Sequence, residues 1–287
     1  MKGIDTYHKN LPGNTGIALM LFVLAVFSLQ SCQERIDWEL EMENELRLVV
    51  DGKITNESGP HEVMLSLPVF EINGTPRPVT GATVFIYDGD STYLLSEDTE
   101  VPGRYLTNGD LRGVVNRIYS LEVRVDTFEF RAAARMVGAT PISYPGYQKV
   151  SSNPLLYEAI FQGSDAPSKV TLEMDWSHLP GYDTLPAERS HAILYGYYFD
   201  LFDVDVNQLF SPPQDRVFFP PGTNVVITKE SLSPGYAEYL RGLLSETAWN
   251  GGLFDVKPGD PFTNLSEGAI GYFAATTILR DTITFQP

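Results

Sequence analysis

Three aspartates, Asp200, Asp203 and Asp205 in the run Asp-Leu-Phe-Asp-Val-Asp, put three hard oxygen donors within six residues. Clustered carboxylates are what a calcium ion takes, but a calcium loop needs Asp-x-Asp-x-Asp-Gly, and that order is missing here. Alternation instead puts Asp203 and Asp205 on one face of a strand, where they read as solvated carboxylates. His61, His178 and His191 are scattered, with no HExxH pair and no i, i+4 spacing on a helix, so metal ligation would need convergence from distant positions. No Gly-x-Ser-x-Gly elbow occurs, and a Ser/His/Asp set could only assemble from remote segments. The Gly268–Gly271 stretch lacks the Lys-Ser/Thr of a phosphate loop and reads as a turn whose glycines serve backbone geometry. The sequence therefore singles out no catalytic residue, metal site or cofactor. Aromatic residues are the richer signal. Tyr195, Tyr197, Tyr198, Phe199, Phe202, Phe210, Phe218 and Phe219 crowd one region, and rings offer large contact area at low entropic cost. A binding patch is expected at Phe210, Phe218 and Phe219, beside Pro212-Pro213 and Pro220-Pro221.

The only cysteine has a more specific setting. Lys2 and Lys9 precede the uncharged run Gly16–Leu29, and Leu29-Gln30-Ser31-Cys32 follows. A membrane-spanning helix needs roughly 20 apolar residues. This run is shorter and has the basic front and small-residue end of a secretory signal. The Leu-Gln-Ser-Cys sequence resembles the lipobox of bacterial lipoproteins. That resemblance implies cleavage before Cys32, acylation of its thiol and a mature chain of 256 residues without a further cysteine. Residues 1–31 are then the lipoprotein signal peptide. Two or more acyl chains suffice for firm anchoring, so outer-membrane lipid becomes the first expected partner.

Charge excludes one class of function. The net charge of −17 becomes −18 once Lys2, Asp5 and Lys9 are removed. Such a field repels phosphates, so no nucleic-acid partner is expected. Residues 32–45 form an acidic tether, with Glu34, Asp37, Glu39, Glu41, Glu43 and Glu45 close behind the anchor. Acidic residues in that position resemble the surface-export signals of Bacteroidota lipoproteins. They imply an outer-membrane protein that faces the cell exterior.

The elements that would position any site are mostly strands. Leu46, Leu48 and Val50 alternate before Gly52, which is read as a turn; Val63, Leu65 and Leu67 follow, then Ala82, Val84 and Ile86. Asp88-Gly89-Asp90 has the composition of a hairpin turn. Tyr93 and Leu95, then Tyr119, Leu121, Val123 and Val125, then Phe128, Phe130 and Ala132 complete about seven short strands, the pattern of a small β-sandwich over residues 46–135. The stretch from Met136 to Pro154 reads as an interdomain crossing because of Pro141, Pro145, Gly146 and Pro154. Beyond it, residues 136–287 form a larger β-rich lobe. Val170, Leu172, Met174 and Trp176 alternate, His191–Val206 reads as a strand covered on both faces, and Val225–Thr228 is a short strand. One helix is predicted near 233–249. Ser233 caps it, Pro234 opens it, and Tyr236, Tyr239, Leu240, Leu243 and Leu244 form one stripe, which must pack on something, with the second sheet expected to serve.

Pro78-Val79-Thr80-Gly81-Ala82-Thr83-Val84 and Tyr119-Ser-Leu-Glu-Val-Arg-Val125 resemble the transthyretin-like, carboxypeptidase-regulatory-like sandwich, of the immunoglobulin-like class. Together with the lipobox, Leu48–Gly52 and the segment Asn264-Leu265 … Gly268-Ala269-Ile270-Gly271-Tyr272-Phe273, the chain resembles a Bacteroidota outer-membrane lipoprotein family known only as domain of unknown function 4249. Its pattern carries a second glycine where Ala269 stands here. The resemblance implies a cell envelope and no established activity. Genes of such proteins often neighbour TonB-dependent receptors, which implies an accessory role in uptake. The expectation is a mainly β, non-enzymatic lipoprotein that captures ligand or caps a TonB-dependent transporter. The alternatives are a surface hydrolase acting on glycan or peptide, and a structural or adhesive envelope protein.

Overall fold

The structure, a computed structural model, describes residues 47–69, 74–109, 111–199, 216–247 and 262–286, without the side chains of residues 246 and 247. Cys32, Asp200, Asp203, Asp205 and Phe210 lie outside the described residues. The chain is mainly β, with one α-helix among the described residues. Strands β1 (Leu48–Thr55), β2 (Glu62–Leu67), β3 (Arg77–Pro78), β4 (Thr83–Tyr87), β5 (Thr92–Glu97), β6 (Arg104–Thr107), β7 (Ile118–Val125) and β8 (Phe128–Arg135) come first. They are followed by β9 (Gly146–Val150), β10 (Asn153–Ile160), β11 (Ser168–Asp175), β12 (His191–Tyr198), β13 (Asn224–Ser231), helix α1 (Pro234–Thr247), β14 (Ala269–Thr276) and β15 (Ile278–Thr284).

Period-two patterning sets the first sheet. Val50, Ile54, Val63, Leu65, Val84, Ile86, Tyr119, Leu121 and Val123 face one core, all essentially enclosed. The order is β14-β1-β2-β6-β5-β4-β7-β8, with β3 added beside β2 to make nine strands. Its first strand comes from the far end of the sequence: β14 runs parallel to β1, Leu48 opposite Ala269 and Thr55 opposite Thr276. Phe273 and Ala275 thereby enter the same core as Val50 and Leu121. The expected sandwich of residues 46–135 thus shares its sheet and its core with a segment some 130 residues downstream.

Gly52, expected to turn the chain, instead lies inside β1. A Cβ there would meet the Phe273 ring at 3.0 Å, so the missing side chain makes room for the strand that arrives from the C-terminal half. Gly271 answers from the other side. Its φ is +100°, and a Cβ would stand 2.1 Å from the Val50 carbonyl oxygen, so only glycine allows β14 to approach β1.

The two edges of this sheet nearly meet. Leu265 forms a bridge with Ala132 of β8, and Val137 bridges Thr276 of β14. Asn264 spans the seam. Its Nδ2 donates to Ala133 O (2.9 Å) and to Phe273 O (2.8 Å), while Oδ1 accepts the Phe273 N–H (3.0 Å). The Asn264–Phe273 segment that carries the family resemblance is thus the closing device of the sheet.

The second sheet has the order β12-β11-β13-β15, all antiparallel. Val170, Leu172, Met174, Val225 and Ile227 supply its core face. The β9–β10 hairpin covers that face, in the stretch where a crossing was expected. The prolines there interrupt the alternation that would have revealed β9. β12 is not covered on both faces: it is an edge strand with His191, Ile193 and Tyr195 exposed.

Ser233 caps α1 as predicted, its Oγ accepting the Tyr236 N–H at 3.3 Å. The helix serves both sheets. Ala237, Leu240 and Leu244 pack with Phe199 and Leu232, whereas Tyr236 and Tyr239 stack on Tyr272 of β14 at 5.1 and 5.2 Å. Further ties join the sheets. Lys53 of β1 pairs with Glu230 of β13 at 2.8 Å, and Asn56 exchanges two hydrogen bonds with the Ile278 backbone. Lys229 is 2% exposed and donates to Thr140 Oγ1 and Pro141 O; burial pulls its pKa down. No helix among the described residues is long and apolar enough to cross a membrane.

Candidate functional site

Of the expected aromatic patch, Phe218 and Phe219 fall within the described residues, and alternation sends them opposite ways. Phe218 is 38% exposed and lies under the Arg216 guanidinium at 5.4 Å. Phe219 is fully enclosed, so it cannot meet a partner as an exposed ring. Its backbone exchanges two hydrogen bonds with Tyr157, which draws the segment onto the edge of the β9–β10 hairpin.

What Phe219 does is floor a ring cluster. Tyr147 and Phe285 meet it edge-on at 5.9 and 5.4 Å, Tyr147 and Phe285 lie 4.2 Å apart, and Tyr157 and Phe285 lie 4.9 Å apart. Edge-to-face contacts of this kind add to the stability that area burial supplies. Above the rings opens a cleft of about 680 Å³ lined by Tyr147, Lys149, Tyr157, Phe285 and Gln286. Lys149 holds its ammonium 6.0 Å from the Tyr157 ring centre. Among the described residues the enclosed Tyr147 hydroxyl has no hydrogen-bond partner, and burial pushes its pKa up. An enclosed unpartnered hydroxyl costs about 1–3 kcal/mol. Aromatic walls with few polar groups are the common make-up of a small-molecule site.

On the reverse face of the hairpin Glu158 takes a two-pronged grip from Arg216, Nε to Oε2 at 2.8 Å, with Gln148 as a further donor. These bonds hold the Glu158 carboxyl below its ordinary range. Glu158 and Arg216 anchor the strand that leads into Phe218 and Phe219.

Sequence reasoning missed Tyr147, Lys149, Tyr157 and Phe285. Tyr147 and Lys149 do alternate, but they stand among prolines, and Phe285 follows the last strand. No local pattern reports that the hairpin folds over the C-terminal residues.

One arrangement resembles hydrolytic chemistry. Asp175 and His191 are direct cross-strand neighbours, with Oδ1 3.2 Å from Nε2, and Ser190 Oγ lies 3.1 Å from the other ring nitrogen. Ser177 hydrogen bonds, with His191 adding, hold the Asp175 carboxyl below its usual range. A working triad needs a hydroxyl that a substrate can reach. Ser190 is 1% exposed, and its Oγ also faces the Pro186 carbonyl at 3.4 Å. The set clasps the start of β12 and offers no nucleophile. His178, nearby, meets Gly222 O at 3.0 Å, and His61 is buried at the far end of the first sheet. Among the described residues no group of three or more His, Cys, Asp or Glu is placed to hold a metal ion.

Among curated proteins none matches the chain. The profile of a family described as a domain of unknown function (DUF4249) matches residues 33–282, taking in both sheets, the helix and the Asn264 seam. The chain belongs to the DUF4249 family.

Proposed function

We propose that this protein is a non-enzymatic ligand-capture lipoprotein, of Bacteroidota origin, held at the outer membrane by acylated Cys32 and serving a TonB-dependent transporter. The observation that carries the capture reading is the ring-walled cleft of Tyr147, Tyr157, Phe285 and Lys149. A small ligand with an apolar ring face would stack on the rings, and a polar group on it would meet the Lys149 ammonium. The lipobox at Leu29–Cys32 and the acidic residues behind it support the anchor and the outward orientation. The immunoglobulin-like, transthyretin-like character of the first lobe belongs to the same reading, as a spacer between lipid and cleft. Against the hydrolase alternative stands the enclosure of Ser190.

The test is affinity isolation of the tagged native lipoprotein from solubilised outer membranes, with intact-mass analysis of its N-terminus. The expected result is a diacylated or triacylated chain starting at Cys32, recovered with a stoichiometric β-barrel receptor. A chain that begins upstream of Cys32, or one recovered acylated but with no barrel, overturns the anchor or the partnership respectively.

A further inference from the structure

The outward face of β4, β7 and β8 carries a second concavity, away from the aromatic cleft. It is a groove of about 510 Å³ lined by Tyr87, Ser120, Glu122, Arg131, Asn264 and Ser266, with Ala132, Ala133 and Leu265 at its floor. Register explains its composition. Ser120 lies opposite Tyr87 and Ala133, Glu122 opposite Phe85 and Arg131, and Arg124 opposite Thr83 and Glu129. Tyr87 and Phe85 form a row of rings 6.2 Å apart, and Arg124 covers Phe85 at 5.6 Å.

Glu122 is the unusual residue. It belongs to the solvent side of β7, yet its side chain is only 10% exposed. Arg124 Nη2 pairs with its Oε1, Arg131 Nε stands 3.6 Å from its Oε2, and both arginines also reach Glu129. Oε1 is enclosed and takes no well-directed hydrogen bond among the described residues. Two carboxylates and two guanidinium groups thus cancel, leaving an electrically balanced groove on a chain of net charge −17.

Three features select the ligand. The floor is built from β7, paired on both sides, and β8, whose outer edge is taken at Arg131 and Ala133 by Ser266 and Asn264. An extended peptide would find few main-chain partners there, so recognition must come from side chains. Those side chains offer an acceptor in Glu122 Oε2 and a fork of donors in Arg131, with the hydroxyls of Ser120, Tyr87 and Ser266. Adjacent hydroxyls on one ligand match such a fork, and the face of a sugar ring matches Tyr87. Charge balance, together with the acidic field of the whole chain, favours a neutral ligand over an anionic one.

We propose that the Tyr87–Glu122–Arg131 groove binds a neutral carbohydrate. Sugar hydroxyls bond to Glu122 Oε2 and to the Arg131 guanidinium, and a ring face rests on Tyr87. This site is independent of the capture cleft.

The test probes a panel of neutral, sulfated and uronic-acid oligosaccharides with the full lipoprotein in detergent, followed by calorimetry on the strongest neutral oligosaccharide. The variants are Glu122→Gln and Ala133→Trp. Ala133 is exposed in the groove lining and is no member of the ion pairs, so an indole placed there fills the groove without removing a charge. Because hydrogen bonds to charged groups contribute about 1.5–3 kcal/mol each, each variant is expected to weaken binding by roughly tenfold or more. Phe218→Ser, remote from the groove, is expected to leave it unchanged. If Glu122→Gln fails to fold, Ala133→Trp alone decides. Three outcomes overturn the proposal: no neutral oligosaccharide bound, a preference for anionic ones, or neutral binding that survives Ala133→Trp. The last would direct attention to the aromatic cleft and leave the capture reading intact.

Discussion

Replacing Asn264 should open the first sheet along its seam. The side chain makes three hydrogen bonds, to Ala133 O, Phe273 O and Phe273 N, at 2.8–3.0 Å. Phe273 is fully enclosed, so Asn264→Ala leaves both of its backbone groups short of a partner. At about 0.5–1.5 kcal/mol net for each bond, with the Ala133 bond at the exposed and weaker end, the loss is about 3 kcal/mol. For a body of this size that lowers the melting temperature by roughly 6–12 °C. Asn264→Asp sharpens the reasoning. An ionised carboxylate still accepts from the Phe273 N–H, but it sets negative oxygen against two carbonyl oxygens. The aspartate variant should therefore be no more stable than the alanine variant at neutral pH, and should recover part of the loss under acid, where a protonated carboxyl can donate. Circular-dichroism melts at pH 7 and pH 4, each compared with wild type at the same pH, give the magnitudes. Amide exchange locates the effect, with protection expected to fall in β8 and β14 and to hold in β11 and β13. An alanine variant within about 0.5 kcal/mol of wild type would refute the closure argument. So would an aspartate variant as stable as wild type at pH 7.

Two further outcomes follow from burial. Phe219→Ala should cost about 3–5 kcal/mol in urea unfolding, because it empties the floor of the ring cluster, whereas Phe218→Ser should cost clearly less, its ring being 38% exposed; equal losses would refute the opposite facing of these two residues. His61 should make the fold acid-sensitive. Its Nε2–H donates to Leu111 O at 2.7 Å, Nδ1 faces the Thr55 N–H at 3.4 Å, and burial holds its pKa below the ordinary 6.5. The unfolded imidazole takes up its proton first, so this stability is present above about pH 6.5 and is lost as pH falls through the folded-state value. Urea midpoints between pH 7 and pH 5 should therefore drop in wild type and drop less in His61→Gln; parallel curves would remove His61 as the cause.

Much of the architecture was legible because half-buried strands announce themselves by alternation. β2, β4, β7 and β11 stand where Val63/Leu65, Val84/Ile86, Tyr119/Leu121/Val123 and Val170/Leu172/Met174 put them. The helix came from its cap and stripe, and spans Pro234–Thr247 against the expected 233–249. β9 was not legible, since prolines around Tyr147 suggested a crossing. Gly52 was misread because a glycine in a strand and a glycine in a turn look alike until the neighbour that needs the space is known.

The candidate site was less accessible. Phe218 and Phe219 were singled out together as one patch, yet consecutive strand residues face opposite ways, and which one faces in depends on the hairpin that Tyr157 brings across. Tyr147 and Phe285 lie 138 positions apart in the chain and 4.2 Å apart between ring centres.

By itself the sequence determined the local matters: period-two strands, a capped helix, an acid-rich composition and a single cysteine. Each is a property of residues within a turn or two of one another, or of a simple sum. Only the tertiary structure decided that β14 pairs beside β1, that Asn264 joins β8 to β14, and that a balanced Glu122–Arg131 pair and a ring-walled cleft exist. Apart from the Glu122–Arg131 pair, which the β7–β8 hairpin brings together, those depend on contacts between residues more than a hundred positions apart, where chain connectivity imposes no spacing that a pattern could reveal.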